Sequence, residues 1–191
     1  MMRKMIYRVA AILLIGAACA QARTLADVNL PEEVALPGDG SRLVLNGAGV
    51  VRRLFVDVLV SALYLPRRQQ NAGELIELPS PARVQFHVLY TEIEARDLER
   101  AWLDALADST SSEELKRLAT VAQELVDLIP DLRRGDVLAV DLLPGIGARL
   151  YLNEDLLGEV AGDEVSRALL VAWIGESPVD DGVKRAMLGS G

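Results

Sequence analysis

The sequence predicts a single α+β domain, and three observations lead to this class. Segments rich in β-branched residues come first, two amphipathic helical segments follow, and strands and helices then come again. No internal repeat or low-complexity segment interrupts this order. Domains in which runs of strands and runs of helices are segregated along the chain belong to the α+β class. The 169 residues after position 22 are enough for one domain with its own core.

The first 22 residues predict a cleavable secretory signal peptide. They contain three basic residues and no acidic ones, then the apolar run Val9–Ala18 and a small-residue end. We expect cleavage after Ala22, with cleavage after Ala20 as the second choice. The mature domain is then residues 23–191, and we expect it in the periplasm without stable insertion in the membrane.

Two alternatives to signal cleavage stay open. The N-terminal segment could be retained as an anchor, although its apolar run is short compared with the roughly 20 residues that span a bilayer. The chain could also be a lipoprotein processed before Cys19. Gly16 stands where the lipid-modifying machinery usually finds a large aliphatic residue, which counts against that alternative.

The predicted mature chain is strongly acidic. Removal of the first 22 residues takes away three basic residues, which changes the formal net charge from −8 to −11. Nucleic-acid binding rests on basic side chains that neutralise phosphates, so we expect no nucleic-acid partner. Cys19, the one cysteine, lies in the signal peptide, and His87 is the one histidine. We therefore predict no disulfide, no metal site and no cofactor. The oligomeric state stays open.

The N-terminal half of the mature chain is rich in strand-forming residues. After an extended segment over Thr24–Ser41, the pattern predicts a short strand at Arg42–Asn46 and a long β stretch at Val50–Leu65. If the long stretch has no bulge, its even-numbered positions form an almost wholly apolar face that also carries Arg52 and Tyr64. Its odd-numbered positions are mixed, which is typical of a sheet covered by helices on one side.

The remaining elements follow from periodicity and turn signals. Apolar stripes at helical spacing predict helices at about Asn71–Leu78, Glu94–Ala107, Ser112–Ile129, Asp163–Trp173 and Asp180–Leu188. Thr91 with Glu94, and Ser111 with Glu114, have capping-box spacing. Strand patterns predict a strand at Ala82–Tyr90. Two or three strands then follow as an antiparallel meander or hairpin, at Asp136–Leu143, Ala148–Asn153 and a short Leu156–Val160.

Two groups of motifs carry a resemblance to a known family. Leu45–Val50 reads LNGAGV and Ala62–Pro66 reads ALYLP, whereas the chain closes with WIGESPV at Trp173–Val179 and MLG at Met187–Gly189. This combination resembles the chalcone isomerase-like family, in particular its exported bacterial branch. The resemblance implies an open-faced β-sandwich, in which a large antiparallel sheet is covered by helices and a ligand cleft lies between them.

The family implies two kinds of function. Its plant members cyclise chalcones, whereas relatives of the same fold bind fatty acids, so fold alone does not decide the activity. The enzymes use an arginine after the glycine turn to stabilise a developing oxyanion. Here Val51 stands at that position, and the arginines follow as Arg52 and Arg53. A bulge after Gly49 would bring Arg52 back to the site, but nothing in the sequence demands one.

These considerations give the candidate site residues. No residue is assigned a catalytic role, and the predicted ligand-binding residues are Arg52, Arg53 and Tyr64. Arg52 is the first candidate because a cation on an apolar face needs an anionic or carbonyl partner. Its alternative is an arginine that extends to water or pairs with an acid. Tyr64 could orient a ligand oxygen through its hydroxyl, or it could simply pack in the core.

Three further side chains are predicted to be structural. His87 could in principle move protons. It shares a strand face with Arg83, Gln85 and Leu89, which favours the solvated side of the sheet. Trp102 and Trp173 are expected in the core.

Three functions remain for this sequence. The leading hypothesis is a protein that binds a small apolar molecule, such as an acyl chain, in the cleft between sheet and helices without proven catalysis. The second is an intramolecular lyase or isomerase of enone-type, chalcone-like substrates, and Val51 counts against it. The third is a structural or partner-binding envelope protein whose cleft is filled by its own side chains.

Overall fold

The computed structural model describes residues 22–38, 40–77 and 79–190. The predicted signal peptide, apart from Ala22, lies outside the described residues. The strands are β1 (Ala22–Leu25), β2 (Val28–Pro31), β3 (Glu33–Ala35), β4 (Arg42–Arg53), β5 (Val56–Leu65), β6 (Ala82–Val88), β7 (Glu92–Ile93), β8 (Leu132–Arg133), β9 (Val137–Leu143), β10 (Gly147–Leu152) and β11 (Asp155–Ala161). The helices are α1 (Ala72–Ile76), α2 (Ala95–Ser109), α3 (Ser112–Val126), α4 (Asp163–Ile174) and α5 (Asp181–Met187).

Seven strands form one antiparallel sheet, in the order β11, β10, β9, β6, β5, β4, β3. Two short pairs, β1 with β2 and β7 with β8, form separate two-stranded sheets. The predicted α+β class, the large antiparallel sheet and the meander of β9, β10 and β11 are confirmed. The short pair of β7 and β8 was not predicted, since two-residue strands leave no periodicity to detect.

Both faces of the large sheet are covered. One face, which we call the helix face, carries Leu63 and Val84 and packs against α2, α3 and α4. The opposite face, which we call the N-terminal face, carries Val60 and Tyr64 and packs against Leu30 and its neighbours in the N-terminal segment. The expectation of a sheet covered by helices on one side is therefore confirmed, and the segment before β4 folds back over the other face.

A tight hairpin interrupts the long β stretch that the sequence predicts over Val50–Leu65. β4 continues through the glycines to Arg53, and the chain turns at Leu54 and Phe55 so that Arg53 pairs with Val56. The prediction of an uninterrupted β stretch is therefore wrong, and so is the prediction of a separate short strand that ends at residue 46. Turns are usually recognised by Gly, Pro, Asn or Asp, and this one contains only leucine and phenylalanine.

A bulge at Asn46 sets the orientation of β4. Leu45 and Val51 are six residues apart, so a regular strand would place both on the same face. The register shifts at Asn46, and as a result Leu45 packs on the N-terminal face while Val51 packs on the helix face. The bulge lies before Gly49 and not after it, so it does not bring Arg52 to the position that the family resemblance assigns to an arginine.

A second bulge acts on β5. The register with β4 shifts at Val58, whose carbonyl oxygen accepts hydrogen bonds from the backbone N–H groups of Leu89 and Tyr90, each at 2.9 Å. Beyond the bulge, Val60 packs on the N-terminal face, whereas Val56 before it lies on the helix side. The assumption of one uniform apolar face along the even-numbered positions of Val50–Leu65 therefore fails at the turn and at this bulge.

The last helix crosses β4 at very short distance. A Cβ atom on Gly47 would overlap the carbonyl oxygen of Ala186 and lie 2.8 Å from that of Met187. The side chain of Asn46 strengthens this crossing, since its amide Nδ2 donates to the Met187 carbonyl at 2.7 Å. The crossing requires a strand without side chains here, which gives a physical reason for the glycines in the LNGAGV motif.

Side-chain oxygens accept hydrogen bonds from the first turns of α1, α3 and α5. The hydroxyl of Ser111 accepts from the first turn of α3, as the capping-box spacing predicts. The predicted box at Thr91 is wrong, because Glu94 precedes α2 without a side-chain cap and Asp131 accepts from the Ala95 N–H at 3.0 Å. Among the described residues, no helix is both long enough and apolar enough to cross a membrane.

We predict that Gly47→Ala lowers the free energy of unfolding by at least about 2 kcal/mol, because the added methyl group collides with rigid backbone. Gly73→Ala is the matched control. Its Cβ would meet only the Asn71 Oδ1 atom, at 3.4 Å. It lies in a helix, so we expect a change of less than about 1 kcal/mol. Urea unfolding of both variants measures the difference, and equal stabilities would show that α5 can move away from β4 at little cost.

Candidate ligand-binding cleft

An apolar cleft opens between the helix face of the sheet and α2, beside the β4–β5 hairpin. Its volume is about 420 Å³, within the range of roughly 300 to 1,000 Å³ that is typical of small-molecule sites. The apolar residues that line it are Val51, Leu54, Val56, Val58, Leu59, Ile93, Leu98, Ala101, Trp102, Trp173 and Val179. Such a lining suits a hydrocarbon ligand and provides few partners for a polar one.

Val51 forms part of the inner wall of this cleft. Its side chain is only 4% exposed, and it packs with the cluster that joins the sheet to the helices. From the opposite side, α2 contributes Leu98, Ala101 and Trp102, which share one helical face. The wall at Val51 therefore offers methyl groups to a ligand and no charge.

The polar groups of the cleft are at its rim. Arg53, Tyr90, Glu92 and Asp97 line the opening, and among the described residues that line the cleft Arg53 is the one cation. No ion pair of Arg53 occurs in the described part of the chain. Its Nη1 atom donates to the carbonyl oxygen of Arg52 at 3.5 Å, which leaves the other N–H groups of the guanidinium for an anionic or carbonyl group of a ligand at the rim.

The structure separates the three residues that the sequence predicts to bind a ligand. Arg53 lies at the cleft, but Arg52 faces the other way and its Nε donates to Asp57 at 2.5 Å. Tyr64 is completely buried on the N-terminal face, on the far side of the sheet from the cleft. Arg52 therefore pairs with an acid and Tyr64 packs in the core, which are the alternatives that the sequence analysis left open for these two residues.

The buried tyrosine has an unusual hydroxyl. Among the described residues, Tyr64 Oη has no hydrogen-bond partner, and burial raises the pKa of the phenol above its usual value. On the same face, Arg83 binds the fully buried carboxylate of Asp141 through two hydrogen bonds of 2.5 and 2.9 Å. This cross-strand ion pair satisfies both charges, so it belongs to the core of the N-terminal face.

His87 lies on the N-terminal face with Gln85, between Val60 and Val137 of the neighbouring strands. It is partly buried, whereas the sequence favoured a solvated position. Its Nε2 atom is buried without a partner among the described residues, and desolvation lowers the pKa of the imidazole. His87 is therefore on the opposite side of the sheet from the cleft.

The two tryptophans are buried, as expected, and they also contribute to the cleft. Trp102 and Trp173 pack against Phe86, with ring centroids 6.2 and 4.9 Å from that of Phe86. The sequence identified them only as core residues. They lie on two different helices, α2 and α4, and both contact Phe86. The periodicity of a single sequence contains no signal for a contact between separate helices.

A family model described as chalcone isomerase-like matches residues 22–189. The chain belongs to the chalcone isomerase-like family. A solved fatty-acid binding protein from Arabidopsis thaliana has a similar structure, with a TM-score of 0.60 and 16% sequence identity over 82% of this chain and 96% of that chain. At this level of identity the similarity shows the fold. Comparison with curated protein sequences gives no significant match. Membership of the exported bacterial branch stays a prediction.

Other features of this chalcone isomerase-like chain are poorer candidates for a site. A depression of about 600 Å³ is lined by Asn46, Arg68 and other polar residues. The Asn46 amide there donates to the carbonyl oxygens of Gln69 and Met187. Arg68 donates to the carbonyl oxygen of Leu45 and to the carboxylate of Glu32. These groups hold the fold together. Within the described residues, no cluster of three or more His, Cys, Asp or Glu side chains could hold a metal ion.

We predict that His87 makes stability depend on pH. In the unfolded chain His87 gains a proton near its ordinary pKa of 6.5, whereas burial lowers the pKa in the folded protein. Above pH 6.5 His87 is neutral in both states and does not affect stability. Below that pH the unfolded state binds the proton more readily, so the free energy of unfolding decreases as the pH falls. The free energy of unfolding, measured with urea between about pH 7.5 and 5.5, should therefore decrease less steeply with falling pH for His87→Gln than for the wild type. Identical slopes would show that His87 is protonated equally easily in both states.

Proposed function

We propose that this protein is an exported, periplasmic binding protein for a small, largely apolar molecule such as an acyl chain, held in the cleft without catalysis. The single observation that carries the proposal is the open apolar cleft with the uncharged Val51 in its inner wall. The N-terminal sequence pattern supports the export part of the proposal.

The distribution of charge suggests how such a ligand is oriented. A carboxylate placed against Val51 would lose its hydration without gaining a partner, which is strongly unfavourable. At the rim the same carboxylate remains near water and meets the guanidinium of Arg53. The proposal therefore places the hydrocarbon tail against Val51, Leu98 and Trp102, and the polar head beside Arg53.

The structural comparison supports an apolar ligand. The similar Arabidopsis protein is a fatty-acid binding protein, and its fold is similar to that of this chain. The open volume also favours a binding protein over a structural protein whose cleft is filled by its own side chains. An isomerase would need a fixed positive charge where an oxyanion develops, and the family position for that charge is occupied by Val51.

We predict that the protein purified from its own periplasm carries a stoichiometric apolar small molecule. Native mass spectrometry detects the bound mass, and extraction identifies it. Ala101→Trp places an indole in the cleft and should reduce the occupancy to less than about a tenth. Ala107→Trp, at an exposed position of the same helix, is the matched control and should keep the ligand.

The same samples test the alternatives. An empty protein that converts a chalcone to a flavanone would replace the proposal by the isomerase hypothesis. An empty protein that is inert and does not bind dodecanoic acid would favour the structural hypothesis. Recovery of the unprocessed chain in the cytoplasmic fraction would contradict export while leaving the binding part of the proposal to be judged on the ligand.

We predict that Arg53→Ala weakens binding of dodecanoate about tenfold, because one charge-assisted hydrogen bond at the rim is lost. Arg52→Ala should change the affinity by less than about twofold, since Arg52 faces away from the cleft and pairs with Asp57. Calorimetric titration measures both affinities. Dodecanol, which has no charge, should bind both variants equally. An equal loss for dodecanoate and dodecanol in Arg53→Ala would show that Arg53 supports the cleft and does not bind the head.

A further inference from the structure

The tip of the β4–β5 hairpin displays large apolar side chains to solvent. Leu54 is 94% exposed, Phe55 is 100% exposed and Val56 is 47% exposed. Tyr90, 46% exposed, lies beside them at the opening of the cleft. We call these four residues the apolar tip. Only two other large apolar side chains of the described residues, Ile146 and Leu156, are similarly exposed.

The backbone of the apolar tip has, at Leu54, a conformation that is unfavourable for leucine. Leu54 has a φ of 57°, in the left-handed region that glycine and asparagine occupy most readily. Glycine would make this turn easier to form and would also remove an apolar side chain from water. A leucine here opposes both preferences, and such outliers are often found where a residue serves a function other than stability.

The apolar tip is continuous with the cleft. Leu54, Val56 and Tyr90 line the cleft as well as facing solvent at its opening. A hydrocarbon that enters or leaves beside the hairpin therefore passes directly over them. Phe55, at the extreme end of the turn, extends beyond the opening and has no such lining role.

Charged residues lie directly behind the apolar tip. Arg52 and Arg53 precede it in sequence, and both are exposed. Arginine can extend its guanidinium to lipid phosphates while apolar neighbours enter the membrane interface. The acids of the same region are Asp57, which pairs with Arg52, and Glu92 and Asp97 at the rim of the cleft. Because cations and acids are mixed here, we expect the apolar side chains to supply most of the attraction.

We infer that the apolar tip docks on the surface of a lipid bilayer, with Leu54 and Phe55 in the interface, so that the cleft opens onto the lipid. Tyrosine and phenylalanine are suited to this boundary. The tip offers roughly 500 Å², less than the 800 Å² or so per partner that a stable protein interface buries. The docking stands on the tip alone, whereas exchange of a hydrocarbon with the membrane rests on the proposed function.

The test is binding of the mature protein to sedimented vesicles of phosphatidylcholine, with and without a third of phosphatidylglycerol. We expect binding to both, with at most a small dependence on vesicle charge, because the apolar side chains supply most of the attraction. The double variant Leu54→Gly with Phe55→Ser should bind at least about tenfold more weakly. It should unfold at no lower urea concentration than the wild type, since glycine suits the turn. Leu156→Ser removes an exposed leucine from the edge strand β11 and should bind as the wild type does.

Absence of vesicle binding by the wild type, or equal binding by the double variant, would overturn the docking. Dodecanoate affinity in solution separates this result from the proposed function. If the protein binds dodecanoate but not vesicles, the docking is wrong and the binding function remains. If it binds vesicles through the tip but no hydrocarbon, the docking is supported and the proposed function is wrong.

Discussion

The short crossing of α5 over β4 is the constraint on which the arrangement of the cleft depends. Gly47 and Gly49 leave no room for side chains under the helix, and the amide of Asn46 holds the Met187 carbonyl at its end. The bulge at Asn46 lies in this crossing, and it reverses the orientation of every residue that follows on β4. Val51 enters the cleft and Arg52 leaves it for that reason, so a contact at one end of the strand determines the chemistry at the other.

The second bulge and the tight turn complete the site. The shift at Val58 keeps Val56 on the side of the cleft, and the pairing of Arg53 with Val56 places Arg53 there too. Arg53 lies two residues, or roughly 7 Å, beyond Val51 on the same strand face. Its charge is therefore at the solvated rim of the cleft and not in the buried wall where the family resemblance would place an arginine. Stabilisation of an oxyanion and capture of a charged head require these two different environments.

Much of the fold could be predicted from the sequence because helices such as α3 and α4 carry long apolar stripes and the meander carries clear turns. The hairpin could not, since Leu54 and Phe55 are not turn residues and the strand pattern continues through them. The faces of Val56 and Val58 were assigned wrongly because the turn and the bulge at Val58 each interrupt a period of two, and a single sequence contains no signal for either. Of the predicted site residues, Arg53 reaches the cleft, whereas Arg52 and Tyr64 lie elsewhere. The assignment of Val51 to the position of the family's arginine rests on counting residues from the glycine motif and stays a prediction.

The exposed turn and the displaced charge have compatible consequences for exchange with a membrane. A ligand whose head remains at the rim, beside Arg53, enters the cleft with its tail first. A lipid-like molecule in a bilayer has its head at the interface and its tail in the interior, and a docked apolar tip would hold Arg53 at the depth of those heads. The head would then need to move only a short distance while the tail passes between two apolar surfaces, over Leu54, Val56 and Tyr90. An arginine at the position of Val51 would instead require the charged head to be desolvated and carried through the apolar opening, which is costly. An uncharged side chain at Val51 and an exposed apolar turn therefore favour the same path for a hydrocarbon ligand.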